Sequence, residues 1–204
     1  MTLTKLGLFK RRHKLQAKDV AKLMAQYLGH TDLLDVVELD GQNQATTEQQ
    51  QKLNVYLTCI NDVVQSLGIS YFPLKDKAVL SSENNMYSYN LFSKTLLQII
   101  RVKDFVSKAK IRFKSYPEYF TVNSNKVKVE YCYQPEFVSG FSDELEVQKG
   151  MVSTRMIALG AVARYYLIEG LYTESTAWNN MFERAILIGS RPLHNLYINK
   201  RGWF

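Results

Sequence analysis

The sequence predicts a mostly helical α+β fold, in which a small antiparallel β-sheet is inserted between two helix pairs of a four-helix bundle, with extended N- and C-terminal arms. Two observations carry this prediction. Apolar residues recur every three or four positions in residues 14–28, 47–67 and 151–188, which is the period of an amphipathic helix. Between residues 78 and 133 the period changes to two, as in a strand. The sheet therefore divides the bundle.

The first two helices are predicted from their apolar spacing and from residues that favour helix ends. The first helix ends at Gly29. The second opens at a capping-box pattern, Thr47 followed by Gln50, and ends at Gly68. Residues 40–47 are polar and form a predicted linker between them.

The strand region is clearest at residues 126–133, where apolar and polar residues alternate. This places Val127, Val129 and Tyr131 on one face. Residues 123–125, Asn-Ser-Asn, form a predicted turn before this strand. Shorter strand candidates are residues 79–82, 96–102, 111–114 and 120–122.

The last two helices are predicted to form an αα-hairpin whose two apolar faces must be buried. Gly170 ends the first of them, and Gly160 is small enough to let a neighbouring helix come close. The apolar face of this helix consists of Val152, Met156, Leu159, Val162 and Tyr166. The second helix starts at Thr173 and stops at Gly189. Its predicted apolar positions are Ala177, Met181, Ala185 and Ile188, with Trp178 and Phe182 beside them.

These elements predict a division of the chain into segments. Residues 1–46 form a basic arm and helix with an acidic linker, and residues 77–135 form an inserted β-subdomain. The helical bundle comprises residues 47–76 and 136–189. Residues 190–204 form a tail, which Pro192 turns away from the preceding helix.

The formal net charge of +7 is unevenly distributed. Residues 1–30 hold seven Lys or Arg against one Asp, whereas residues 31–48 hold five acids and no base. This asymmetry favours an anionic partner for the start of the chain. The predicted contacts are Lys10, Arg11, Arg12 and Lys14. A solvated basic face is the alternative, because a charge run alone cannot read bases.

The sequence contains no recognisable catalytic, cofactor or metal-binding constellation. The three histidines lie in separate segments, without His or Cys at metal-ligand spacing. No Gly-rich phosphate loop or nucleophile elbow occurs. Cys59 and Cys132 are predicted to be buried free thiols. No apolar run approaches the length that crosses a bilayer, and the N-terminus does not resemble a secretory signal. We therefore expect no enzyme, no cofactor and no membrane partner.

Five runs carry a resemblance to a known family: residues 96–104, 110–113, 127–135, 155–172 and 177–178. In order and hydrophobic spacing they resemble the sheet insertion and the long C-terminal helix pair of tailed-phage head-to-tail connector proteins. These are the adaptor rings of short-tailed phages, also called tail tubular A or gatekeeper proteins, and ring proteins of crAss-like phages are similar.

The resemblance covers about residues 50–190, and the chain departs from the family pattern in two places. The turn after Asp104, residues 105–108, lacks the glycine expected in such a hairpin. The basic N-terminal 50 residues are longer than the minimal family pattern.

The resemblance implies a non-enzymatic structural protein of the virion, located at the head–tail junction and made in the host cytoplasm. Family members form a twelve-subunit ring beneath the portal protein, extend the DNA channel and dock tail proteins. The implied partners are the portal protein, neighbouring copies of the chain, tail proteins, and double-stranded DNA that passes through the lumen without sequence specificity. The alternative function is a free-standing basic nucleic-acid-binding module.

The resemblance also implies that the C-terminal tail docks on the portal. The tail ends in bulky aromatic residues and bases, which are favoured anchors at interfaces. The alternative is a tail packed on its own subunit. The implied docking residues are Arg191, Leu196, Tyr197, Arg201, Trp203 and Phe204.

Overall fold

The helices and the strands build two separate hydrophobic clusters. The computed structural model describes residues 15–38 and 45–190. One cluster joins the helices with loop residues between Val138 and Val152, and the other lies among the strands.

Five α-helices and several shorter helical turns lie in the described residues. A 3₁₀ turn, Thr31–Leu33, joins the first two helices, and a π-helical turn, Leu67–Tyr71, extends the third. The helices are α1 (Ala17–Leu28), α2 (Leu34–Glu38), α3 (Thr47–Ser66), α4 (Thr154–Ile168) and α5 (Tyr172–Gly189).

Seven strands in the described residues form two antiparallel sheets. The four-stranded sheet has the order β1-β7-β3-β4, and the three-stranded sheet has the order β2-β6-β5. The strands are β1 (Leu74–Ser81), β2 (Met86–Ser88), β3 (Leu96–Asp104), β4 (Lys110–Ile111), β5 (Phe113–Ser115), β6 (Tyr119–Val122) and β7 (Lys126–Tyr133).

The predicted four-helix bundle with one small sheet is wrong. The chain is α+β, but the helices pack around α4, and the strands make two sheets. All eight consecutive residues from 156 to 163 of α4 are buried, so this helix has no solvent face over that length. The second sheet escaped prediction because β2, β5 and β6 have only three, three and four residues. A strand of three or four residues is too short to show a clear alternation of apolar and polar residues.

The predicted close approach at Gly160 is confirmed. A Cβ atom at this position would lie 3.0 Å from the Phe182 ring of α5 and 3.0 Å from Cγ1 of Val63 of α3. The missing side chain therefore lets two helices meet against α4 at one level, as dense interior packing requires.

Of two other predicted helix stops, Gly189 is confirmed and Gly68 is not. At Gly68 the helix continues into the π-helical turn, and a Cβ would lie 2.3 Å from Cγ of Pro135. Gly189 is the last residue of α5, and a Cβ there would lie 2.7 Å from the Met151 carbonyl oxygen. Both glycines permit close packing between distant segments. Gly170, by contrast, follows α4 with a φ of +76°, in the left-handed conformation predicted for a helix end.

The predicted capping box of α3 is displaced by one residue. The hydroxyl of Thr46 accepts a hydrogen bond from the Gln49 amide at 3.3 Å, and the Gln49 side chain accepts one from the Thr46 amide at 3.0 Å. The predicted pair, Thr47 and Gln50, has the same spacing. Two adjacent threonines and two adjacent glutamines satisfy the motif in either register, so the pattern alone could not select one.

The two sheets face each other across aromatic rings. Val127, Val129 and Tyr131 are buried on one face of β7, as predicted. Phe92 lies 4.6 Å from the Tyr131 ring and 6.4 Å from the Phe120 ring of the other sheet. The inner face of the four-stranded sheet is therefore covered, whereas Lys77, Arg101 and Lys128 on its outer face are exposed.

Side-chain amides on α3 hold the chain where it leaves β7. The Asn61 amide donates to the Val138 carbonyl at 2.9 Å and accepts from the Val138 N–H at 2.9 Å. Gln65 is buried and donates to the Pro135 carbonyl at 2.5 Å. We call this set the junction. It attaches the strands to the helices through specific hydrogen bonds.

The separate clusters predict that the helices fold without the strands. Leu74 and Tyr133 are paired across β1 and β7, so the ends of the strand region are adjacent. Replacing residues 74–133 by a short Gly-Ser linker should leave a helical circular dichroism spectrum and a cooperative thermal transition. A non-cooperative melt of the shortened chain would contradict independent folding.

Candidate interaction surfaces

The described residues contain no candidate metal centre. In residues 15–38 and 45–190, no group of three or more His, Cys, Asp or Glu residues is placed to hold a metal ion. Over the same ranges, no helix combines the length and apolar character needed to cross a bilayer. Both cysteines are buried and free, as predicted, and burial raises the pKa of the Cys59 thiol to about 12. That thiol is therefore protonated and unreactive at neutral pH.

The residues predicted to contact partners lie outside the described part of the chain. This holds for the basic group Lys10, Arg11, Arg12 and Lys14. It holds equally for the tail group Arg191, Leu196, Tyr197, Arg201, Trp203 and Phe204.

Helix α5 buries only part of the apolar face that was predicted for it. Phe182 and Ile186 are its buried residues, and Trp178 and Ala185 pack against the same cluster. Of the predicted apolar positions, Ala177 is exposed, Met181 is 42% exposed and Ile188 is 65% exposed. Helix α5 therefore has two apolar stripes, and within residues 15–38 and 45–190 only one of them is covered.

The uncovered stripe continues into a cleft between α5 and the start of α4. We call Ala177, Met181 and Ile188 the α5 stripe. The cleft has a volume of about 440 Å³. Met151 and Met156 line it together with the last two stripe residues, and Arg155 and Arg184 supply charges. An apolar surface with charges beside it is typical of a protein interface.

A second surface, the outer face of the four-stranded sheet, is strongly basic. Strand pairing aligns Lys77 with Glu130 and Glu130 with Arg101 across three strands. The next row aligns Lys128 with Lys103, and Lys103 with Lys110. We call this surface the basic sheet face. Its charged residues are Lys75, Lys77, Arg101, Lys103, Lys110, Lys126, Lys128 and Glu130.

The β3–β4 hairpin forms one edge of the basic sheet face. A carboxylate oxygen of Asp104 accepts hydrogen bonds from the amides of Val106 and Ser107, at 3.0 and 2.7 Å. Hydrogen bonds from the Ser107 amide and from the hydroxyls of Ser124 and Ser107 lower the pKa of Asp104 to about 2. Lys108 adopts a φ of +58° in this turn. A lysine therefore occupies the left-handed position that usually takes glycine, which explains the glycine missing from this hairpin.

The basic sheet face is hidden in the sequence because its lysines are dispersed. They alternate with apolar residues on β7 and come from four strands, so no local charge run marks them. The signal available in the sequence is the identity of the polar residues that alternate with apolar ones. These polar residues are lysines at positions 126 and 128, and residues 101 and 103 are also basic. Only the strand register brings these positions together.

A comparison with protein-family models finds no match to this chain, and a comparison with curated proteins finds none either. The resemblance to phage connector adaptors rests on the order and spacing of the residues.

A polar cluster inside the helical part contains a histidine with a shifted pKa. Nδ1 of His30 lies 2.8 Å from the Tyr56 hydroxyl, and the Tyr165 ring packs edge-on against the imidazole. Burial, followed by the charge of Lys52, lowers the pKa of His30, although Asp32 and Glu169 act in the opposite direction. The neutral imidazole is the form that the fold accommodates.

This shift predicts a loss of stability in mild acid. The unfolded chain protonates His30 near its ordinary pKa of 6.5, before the folded chain does, so the unfolding free energy falls as the pH drops below about 6.5. The melting temperature of the His30→Asn variant should decrease less between pH 7 and pH 5 than that of the unaltered protein. The effects of the other titrating groups are the same in both proteins and cancel when the two decreases in melting temperature are compared. Equal decreases in the two proteins would show that His30 is not the responsible group.

Proposed function

We propose that this chain is a structural adaptor-ring protein of a tailed-phage head-to-tail connector. In this role it lies between the portal and the tail, extends the DNA channel and docks tail proteins. The observation that carries the proposal is the α5 stripe, together with the residue pattern that resembles connector adaptors. The function requires neither an active site nor a cofactor.

The α5 stripe supports contact with a second copy of the chain. Its residues repeat with the same helical period as the buried stripe, and that period is a property of packed faces. Leu187 beside it is 63% exposed. Covering about 100 Å² of such apolar surface contributes about 2.5 kcal/mol before the costs of association.

A ring also needs a second, different surface on each subunit, because its interfaces are head-to-tail. The side of α3 next to the junction offers one. There Ile69 and Phe137 are 46% and 69% exposed and line a cleft of about 460 Å³ with Asp62. Its residues come from elements other than those of the α5 stripe. The helical part thus presents two distinct apolar surfaces, which a closed ring of identical subunits requires.

The first test of the proposal introduces charge on the α5 stripe. The double variant Met181→Glu and Ile188→Glu should keep the melting temperature within a few degrees, because both positions are exposed. It should fail to form rings with purified portal protein, since two buried carboxylates per interface oppose association. Particle mass and negative-stain electron microscopy measure assembly.

The matched control places the same two charges off the stripe on α5, with Thr176→Glu and Asn180→Glu, which are also exposed positions. This control should assemble normally. Normal assembly of the stripe variant would remove the main support for the proposal.

The second test concerns the predicted portal-docking tail. Removing residues 191–204 should leave the melting temperature nearly unchanged, because α5 ends at Gly189 and the Ser190 amide already bonds the Ile186 carbonyl at 2.8 Å. The truncated chain should no longer co-sediment with the portal. A full-length variant with Trp203→Ala and Phe204→Ala should show most of the same loss. Portal binding by the truncated chain would disprove the docking role, and its unfolding would assign the tail to the subunit's own core.

A further inference from the structure

We propose that the basic sheet face binds the phosphate backbone of duplex DNA. This inference deepens the proposed function and rests on it, because it names the surface by which the subunit meets the DNA in its channel. The face carries seven basic residues and one acid, Glu130.

The charges on this face are left largely uncompensated. Glu130 lies 3.8 Å from Arg101, and Lys126 lies over the Phe105 ring at 4.3 Å. Among the described residues, none of the ion pairs involves Lys103, Lys110 or Lys128. These three lysines form one row, in which like charges stand directly opposite each other on neighbouring strands. Such pairs destabilise a sheet, so the row points to an anionic ligand that neutralises it.

The composition of the face favours phosphates over an acidic protein. Protein interfaces are depleted in lysine and enriched in aromatic residues, whereas six of the seven bases here are lysines. On β1 and β7, Val79 is the one large apolar residue that points outward and is exposed. Lysine is a flexible point charge, which suits contacts that fix no base sequence.

The spacing of the lysines fits a polyphosphate. Alternate residues on a strand are about 7 Å apart and neighbouring strands about 5 Å apart. Each strand of DNA presents one phosphate per about 3.4 Å of helix axis. Several flexible lysines can therefore reach different phosphates at once. A cleft of about 410 Å³ on this face is lined by Lys77, Lys103 and Lys128 and bounded by the β3–β4 hairpin.

Lys108 provides an independent sign of function at the edge of the cleft. It lines the cleft and holds a left-handed φ of +58°. A glycine would adopt this conformation without strain, so the lysine occupies this position against its local conformational preference. Strained residues of this kind concentrate at binding sites.

The experiment measures binding of the full-length protein to a fluorescein-labelled duplex of mixed sequence by anisotropy, across a series of salt concentrations. The triple variant Lys103→Gln, Lys110→Gln and Lys128→Gln should bind at least tenfold more weakly at low salt. The slope of the logarithm of its DNA-binding constant against the logarithm of the salt concentration should be smaller in magnitude by about two to three, since each lost phosphate contact removes about 0.9 from that slope. The control variant Lys52→Gln, Lys114→Gln and Lys149→Gln removes the same charge from positions outside the basic sheet face and should keep the slope.

Lys108→Gly separates binding from stability. This variant should melt at the same temperature as the unaltered protein or higher, because the strain is relieved. It should nevertheless bind DNA more weakly, with a slope smaller by about one. A variant that gains stability without any loss of DNA affinity would argue against a binding role for Lys108.

Other outcomes would place the DNA contact on another part of the chain or identify a different ligand. An unchanged slope in the sheet triple variant overturns the inference. So does a slope lost only on neutralising Lys10, Arg11, Arg12 and Lys14, or a preference for polyglutamate over DNA at equal charge concentration. Failure of the proposed function looks different: the chain would bind DNA through the sheet yet never form rings with the portal. If rings form normally but the sheet substitutions leave the DNA affinity unchanged, this inference alone is overturned.

Discussion

The burial of α4 is the constraint on which the helical part depends. Its eight fully buried residues need partners on every side, and α1, α3 and α5 provide them. At Gly160 the rings and methyl groups of two helices come within contact of the α4 backbone. Dense packing at this level fixes how far each neighbour can approach. A larger side chain there forces α3 or α5 outward, with loss of contacts along the whole helix.

The same constraint determines which surfaces stay open. Helix α5 packs mainly against α4, with Trp178 also against Tyr27 of α1, and its remaining faces point away from the core. On the other side of the junction, the aromatic contacts between the sheets cover one face of the four-stranded sheet and leave the lysine-rich face outside. Apolar and basic surfaces therefore lie on different substructures. The proposed contacts with copies of the chain and with a polyanion therefore use different residues.

The sequence was informative where periodicity extends over many residues. It located α3, α4 and β7, and it identified the small residue at position 160 as a contact point. The sequence did not determine the buried face where two apolar patterns occur on the same helix. Helix α5 carries two apolar stripes, and only the tertiary partner decides that Phe182 and Ile186 turn inward rather than Met181 and Ile188. The lysine rows were equally hidden, because they exist only after β1, β3, β4 and β7 have paired in register.

The junction has a consequence for how this chain can diverge. The helical and strand clusters share few side chains, so substitutions in one core can accumulate without repacking of the other. Residues at the boundary between the two clusters can change much less freely. Position 68 must stay a glycine as long as the ring of Pro135 lies 2.3 Å from where its Cβ would be, and Asn61 must keep both a donor and an acceptor for the backbone of Val138. Distant relatives should therefore differ most in the sheets and helices themselves, while the few residues that join them change together or not at all.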